Sequence, residues 1–241
     1  MAYDLERILT GLVADDASTR LSAAYAMEQA LHEEMDGGRT NWADLTDRLL
    51  PLLIQGIGDQ NKGVQVHSAN CLQFLAYQSE QIIPALRAAM ADPTAWRAWG
   101  AAIVFARMGL WAPEVGPALA AAMGASDRDV RWAAAGYALQ LGRSHSEAVA
   151  MVRQTLGSPD PLARKMATYC LGAMGAFAPV EDDLANRLAD PDRDVRRAAL
   201  LALNRQPQVS DPVRDQIAAL CADPDPFVQR TAAAVAKRLE R

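Results

Sequence analysis

Small and apolar residues return along this chain at one long, nearly constant period. Ala23, Ser68, Gly100, Ala134, Ala167, Ala199 and Ala232 each stand three residues past a long polar anchor: Arg20, Gln65, Arg97, Arg131, Arg164, Arg196 or Gln229. The anchors are 45, 32, 34, 33, 32 and 33 residues apart. Six and seven residues past an anchor the positions are mainly apolar, as in Cys71/Leu72, Ile103/Val104, Cys170/Leu171 and Ala202/Leu203. Apolar residues at i, i+3 and i+4 make one buried stripe of an amphipathic helix. A small residue held at one helical phase lets two backbones approach closely. A repeat near 33 residues marks two-helix units stacked in a row. The pattern predicts an all-α protein: an α-solenoid, wound as a right-handed superhelix, of about seven helical hairpins.

The turns before the anchors carry their own logic. Asp190-Pro191, Asp160-Pro161 and Asp225-Pro226 place a capping carboxylate beside a proline in the first helical turn, where its missing N–H costs nothing. Hairpins are expected over residues 3–33, 45–78, 80–110, 113–142, 146–176, 179–206 and 211–241. A loop insertion at 34–44 accounts for the single 45-residue spacing, with Trp42 folded back on the stack. Such an insertion falls on one face of a stack, often a face used for binding. Because each unit of a stack touches only its neighbours, residues 1–241 read as a single domain. Pro51, Pro84 and Pro117 fall 13 or 14 residues before their anchors and predict kinked first helices.

The turn Asp-Pro-Asp-x-x-Val-Arg-x-x-Ala, as it stands from Asp190 to Ala199, resembles the HEAT-repeat signature in its short, phycobilisome-lyase-type form. The resemblance covers nearly the whole chain. It implies HEAT-like hairpins, second helices lining a concave side, and use as a generic scaffold for protein binding. It also keeps an enzymatic alternative open, since some proteins with such repeats resemble bilin lyase subunits and others alkylpurine DNA glycosylases. Trp96, Trp99, Trp111 and Trp132 lie close in sequence, as the aromatics of such a glycosylase would.

Composition narrows the classes. Residues 1–80 carry 5 Lys/Arg against 12 Asp/Glu, a balance of −7, while residues 81–241 carry 19 against 17, a balance of +2. Nucleic-acid binding draws on a basic stripe that neutralises phosphates, which the acidic N-terminal third argues against. No apolar run is long enough to span a bilayer, and residues 1–13 include Asp4, Glu6 and Arg7 instead of a signal-peptide core. A soluble, cytoplasmic protein is expected. Cys71, Cys170 and Cys221 form no CxxC motif and read as reduced core thiols. His32, His67 and His145 lie in different repeats without a carboxylate at metal-ligand spacing on the same helix. No nucleophile elbow or phosphate loop occurs, so neither a metal, a cofactor nor a catalytic residue is predicted.

The anchor arginines, four residues after a turn Asp or Asn in most repeats, are suited to tie turn carbonyls and carboxylates together. The candidate site lies elsewhere. With positions three, six, seven and ten past the anchor buried, the opposite face of the second helices falls at one, five, eight and twelve. In the central repeats that face carries Phe105, Trp132, Leu139 and Tyr169; toward the C-terminus it carries Lys165, Arg197 and Arg230. Contiguous exposed apolar groups mark interaction sites, and Trp, Tyr and Arg favour protein interfaces. These seven residues are the expected partner-binding set, with a protein or peptide as partner. The same phasing turns Ala134 inward and Ala135 toward solvent.

Overall fold

The structure is a computed structural model and describes residues 3–34, 42–92, 95–176 and 179–239. Among these residues fourteen α-helices follow one another: α1 (Leu5–Leu12) pairs with α2 (Ala17–Glu34), α3 (Trp42–Gly56) with α4 (Lys62–Leu75), and α5 (Ile82–Met90) with α6 (Ala95–Arg107). Then come α7 (Val115–Met123) and α8 (Arg128–Gly142), after which α9 (Ser146–Thr155) pairs with α10 (Pro161–Met174), α11 (Glu181–Arg187) with α12 (Arg193–Leu203), and α13 (Asp211–Ala219) with α14 (Pro226–Leu239). A single 3-10 turn, Leu220–Ala222, joins the last two helices. No strand occurs among the described residues. The expected loop at 34–44 and the placement of the Trp42 side chain lie largely outside the described residues. The chain forms two compact units, Met1–Ala118 and Leu119–Arg241.

The small column does what its period requires. Ala23, Ser68, Gly100, Ala134, Ala167, Ala199 and Ala232 are all buried. In unit 1 a methyl group added to Gly11 of α1 would stand 2.8 Å from Cβ of Ala23 on α2, and one added to Gly56 of α3 would overlap the Ser68 hydroxyl of α4. A methyl on Gly100 of α6 would overlap the carbonyl oxygen of Ile57, which follows α3. In unit 2, Gly172 of α10 is pressed against Ala202 of α12, whose Cβ would lie 2.5 Å from an added methyl. The helices therefore meet nearly backbone to backbone.

Three expectations are corrected. Ala135 does not face solvent: it is 6 % exposed, and its carbonyl accepts a hydrogen bond from the Cys170 thiol at 3.3 Å. Helix α10 packs on this side of α8, so the buried stripe is wider than the four expected columns. Pro84 and Pro117 are not interior kinks, because α5 and α7 begin only two residues before them. In that first turn a proline removes no helical bond. Pro51 does lie inside its helix. Cys71 and Cys170 are buried, and burial pushes the Cys170 thiol up to about 12. Cys221, however, is exposed, because α13 ends at Ala219 and the 3-10 turn that follows breaks the helical phase.

The anchors tie one turn to the next. Arg164 donates from Nη1 to the carbonyls of Ser158 and Pro159 in its own turn, at 2.9 and 3.1 Å. Its Nε and Nη2 reach both carboxylate oxygens of Asp190 in the following turn, each at 2.9 Å. Arg196 does the same with the carbonyls of Asp190 and Pro191 and with Asp223, and Arg20 with Ala14, Asp15 and Asp59. Gln65 and Gln229 keep one bond of the scheme, donating to the carbonyls of Asp59 and Asp223. Each acceptor carboxylate also takes the amide two residues on, from Asn61, Asp192 or Asp225. Those residues then accept from the amides that open α4, α12 and α14. The Asp190 side chain is 1 % exposed and that of Asp223 3 %. Burial pushes the Asp190 carboxyl up, but the bonds from Arg164 and the Asp192 amide outweigh it and leave the group below its ordinary value. The bond from Arg196 does the same for Asp223 against a smaller burial effect.

Three substitutions test the packing and the ties. Gly100→Ala should destabilise the protein by about 1–3 kcal/mol in urea denaturation, since backbone must move. Gly136→Ala, on exposed helix with nothing within 4 Å of the added methyl, should stabilise it by about 0.5–1 kcal/mol. Asp190→Asn should cost about 2–3 kcal/mol at neutral pH by leaving Arg164 short of its anion. Because the folded carboxyl sits below its unfolded value near 4, its contribution is present above that value. It is lost as pH falls through the lower folded value. The substitution should therefore flatten the stability curve below about pH 4, as read by denaturation at stepped pH.

Candidate functional site

The outer face expected at one, five, eight and twelve past the anchor exists in unit 2. Trp132 of α8 is 48 % exposed, and its ring stacks on that of Tyr169 of α10 with centroids 5.5 Å apart and planes 29° apart. Leu139 of α8 and Tyr169 are half-buried, and Gly136 lies exposed between Trp132 and Leu139 on the same face of α8. An aromatic pair of this kind offers a broad, stiff apolar surface at small entropic cost.

The basic residues follow on the next helices. The position one past an anchor lies beside the position two before the next anchor. Lys165 of α10 thus donates to Asp194 of α12 at 3.0 Å. One helix further on, Arg197 and Phe227 line a shallow cleft of about 170 Å³ together with Arg193, Asp194 and Asp225. Arg193 is held by Asp225 at 2.9 Å. Burial raises the Asp225 carboxyl, but Arg193 and the amides of Val228 and Phe227 bring it below its ordinary value. Phe227 is 52 % exposed, and the Arg230 guanidinium sits 4.7 Å above its ring. Six of the seven expected residues, Trp132, Leu139, Tyr169, Lys165, Arg197 and Arg230, therefore lie on one face of unit 2.

Phe105 does not join them. It belongs to unit 1 and is 2 % exposed, with Ala102, one turn earlier on α6, fully buried. Helix α6 is apolar on every side: from Ala98 to Ala106 no polar side chain occurs. A helix hydrophobic all round is a buried helix, so counting from the anchor gave it an outer face that it lacks. Gly172 is a lesser exception, covered by Ala202 of α12.

A polar cluster in unit 1 escaped the sequence reading. Glu28 of α2 accepts from Asn70 Nδ2 of α4 at 2.9 Å and contacts His67 Nδ1 of α4 at 2.5 Å. The Tyr25 ring meets that imidazole edge-on, with centroids 5.3 Å apart. With Glu28 ionised, Nδ1 carries the shared proton, so the carboxylate fixes the tautomer and orients the ring. Glu28 and Asn70 stood in the outward columns, but only the alignment of α2 against α4 brings His67 to them. No group of three or more His, Cys, Asp or Glu residues able to hold a metal occurs among the described residues. Of Trp96, Trp99, Trp111 and Trp132, Trp99 is 5 % exposed, inside unit 1. No described helix is long and apolar enough to cross a membrane.

Buried small columns, capped turns and arginine ties define a helical repeat protein, and comparison with known proteins gives the family. The HEAT-repeat model matches residues 50–140 and 116–203, together more than half of the chain. The chain belongs to the HEAT-repeat family. Its fold is similar to that of Cex1p, with 16 % identity and a TM-score of 0.60 over 98 % of this chain and 52 % of that one, so it spans about half the length of Cex1p. It is also similar to YibA of Escherichia coli, with 18 % identity and a TM-score of 0.53 over 83 % of this chain and 78 % of that one. At such identities the likeness is one of fold. No curated protein matches the chain in sequence. The chain is a repeat scaffold of a kind capable of binding proteins.

Proposed function

We propose that this protein is a non-catalytic scaffold or adaptor of the cytoplasm that binds a segment of a protein partner on the outer face of α8, α10, α12 and α14, without a cofactor. The stacked, half-open pair Trp132 and Tyr169 carries the reading. A large aromatic surface kept at the protein's exterior costs solubility, and its commonest use is to anchor a partner. Leu139 extends the apolar area, while Lys165, Arg197 and Arg230 supply a polar, charged continuation of the kind that rims protein interfaces. The three free thiols, Cys71, Cys170 and Cys221, agree with a reducing compartment. A glycosylase draws less support, since Trp99 is interior and Asp194 and Asp225 interrupt the basic row.

Trp132→Ala should lower partner affinity by about thirtyfold, roughly 2 kcal/mol. The thermal midpoint should fall by only a few degrees, because the ring is half in water. Parallel affinity purification with the native and substituted proteins, quantified by mass spectrometry, reads the first effect, and calorimetry the second. Equal recovery of every partner by both proteins would exclude this face as the docking surface.

A further inference from the structure

One step along the outer face of unit 2 leaves a cation without an anion. Where α10 meets α12, the charge of Lys165 is answered by Asp194 at 3.0 Å. Where α12 meets α14, the residue at the place of Asp194 is Phe227. A ring can stack on a guanidinium but does not neutralise it. Arg193 beside it is already committed to Asp225. Arg197 and Arg230 are both exposed, and among the described residues neither has a carboxylate partner. Two uncompensated guanidinium groups thus flank one exposed ring.

We propose that the segment bound by this face is acidic: a linear peptide that lays carboxylates on Arg197 and Arg230 and an apolar side chain against Trp132 and Tyr169. The proposal rests on the reading that unit 2 binds a polypeptide, and it names that polypeptide's chemistry. Guanidinium and carboxylate match as a two-point fork, and the Phe227 ring accepts the methylene stem of a glutamate. Neighbouring helix axes lie about 10 Å apart, which puts the basic pair roughly 20 Å from the aromatic pair. An extended chain covers about 3.3 Å per residue, so the acidic group belongs roughly six residues from the apolar one. A nucleic acid would also satisfy arginines, but its phosphates need an unbroken basic track. Here Asp194 and Asp225 stand within the row.

Selection of random linear peptides displayed on phage against the whole protein tests this. The recovered peptides should be enriched in Asp and Glu at about six residues from an aromatic or aliphatic side chain. They should bind the Arg197→Glu/Arg230→Glu protein at least about tenfold more weakly, and selection on that protein should return Lys- and Arg-rich peptides. Phe227→Asp, which gives Arg197 an internal carboxylate as Asp194 does for Lys165, should weaken the same peptides by a similar factor. Unchanged circular dichroism melting of both proteins keeps the comparison clean. Peptides that depend on Trp132 yet show no acidic enrichment would overturn the inference and leave the polypeptide-binding reading standing. Recovery of no peptide, peptides indifferent to Trp132→Ala as well, or displacement of an acidic peptide by a single-stranded oligonucleotide would overturn both.

Discussion

A guanidinium that serves two turns at once holds this repeat protein in register. One nitrogen of Arg164 closes its own turn through the carbonyls of Ser158 and Pro159, and the other edge clasps Asp190 of the following repeat. The geometry needs a planar group with donors on separate edges, which lysine lacks. It also needs a carboxylate whose remaining lone pairs are used, and the Asp192 amide supplies that bond. A buried charge is tolerable only when its hydrogen bonds are complete. At Asp190 and Asp223 they come from the same few residues that start the next helix, so turn shape, helix start and repeat spacing are one arrangement.

That arrangement decides what the second helices expose. Once the turns are set, the small column brings backbones into contact, and in unit 2 the side chains one and five past each anchor are left on the outside. In unit 2 this puts Trp132, Lys165, Arg197 and Arg230 at equivalent places on successive helices. The chemistry of the face then depends on what the neighbouring helix offers each of them: a ring from Tyr169, a carboxylate from Asp194, or a ring without charge from Phe227. The scaffold is repetitive, whereas the chemistry varies step by step.

Much of this was legible in the chain alone because the signals were local and repeated. Seven anchors and seven small residues give the hairpins, and the Asp-Pro turns give the helix starts. The role of the arginines followed from their distance to turn carboxylates. What could not be read were properties of neighbours. Ala135 looks outward on its own helix and is covered because α10 lies on it. Phe105 sits at an outward phase of a helix whose sequence has no polar side to mark the outside. Glu28 and His67 are thirty-nine residues apart, and their meeting depends on the vertical offset of α2 against α4. Cys221 went astray for a local reason, a 3-10 turn that shifts the phase just before the last repeat.

The arginine ties are unevenly distributed. Six residues before Arg164, where Asp190 and Asp223 serve their own repeats, the chain has Ser158; Arg131 binds the carbonyls of its own turn, Ala125 and Ser126, and among the described residues forms no ion pair with the next turn. The junction of α8 with α10 therefore lacks the electrostatic fastener found at the two junctions that follow it in unit 2. It is also where the rings of Trp132 and Tyr169 lie against each other. That junction is held by helix packing, ring stacking and the bond from the Cys170 thiol to the Ala135 carbonyl, where the next two add a buried bidentate ion pair, so one stack of like repeats is fastened by two different kinds of force.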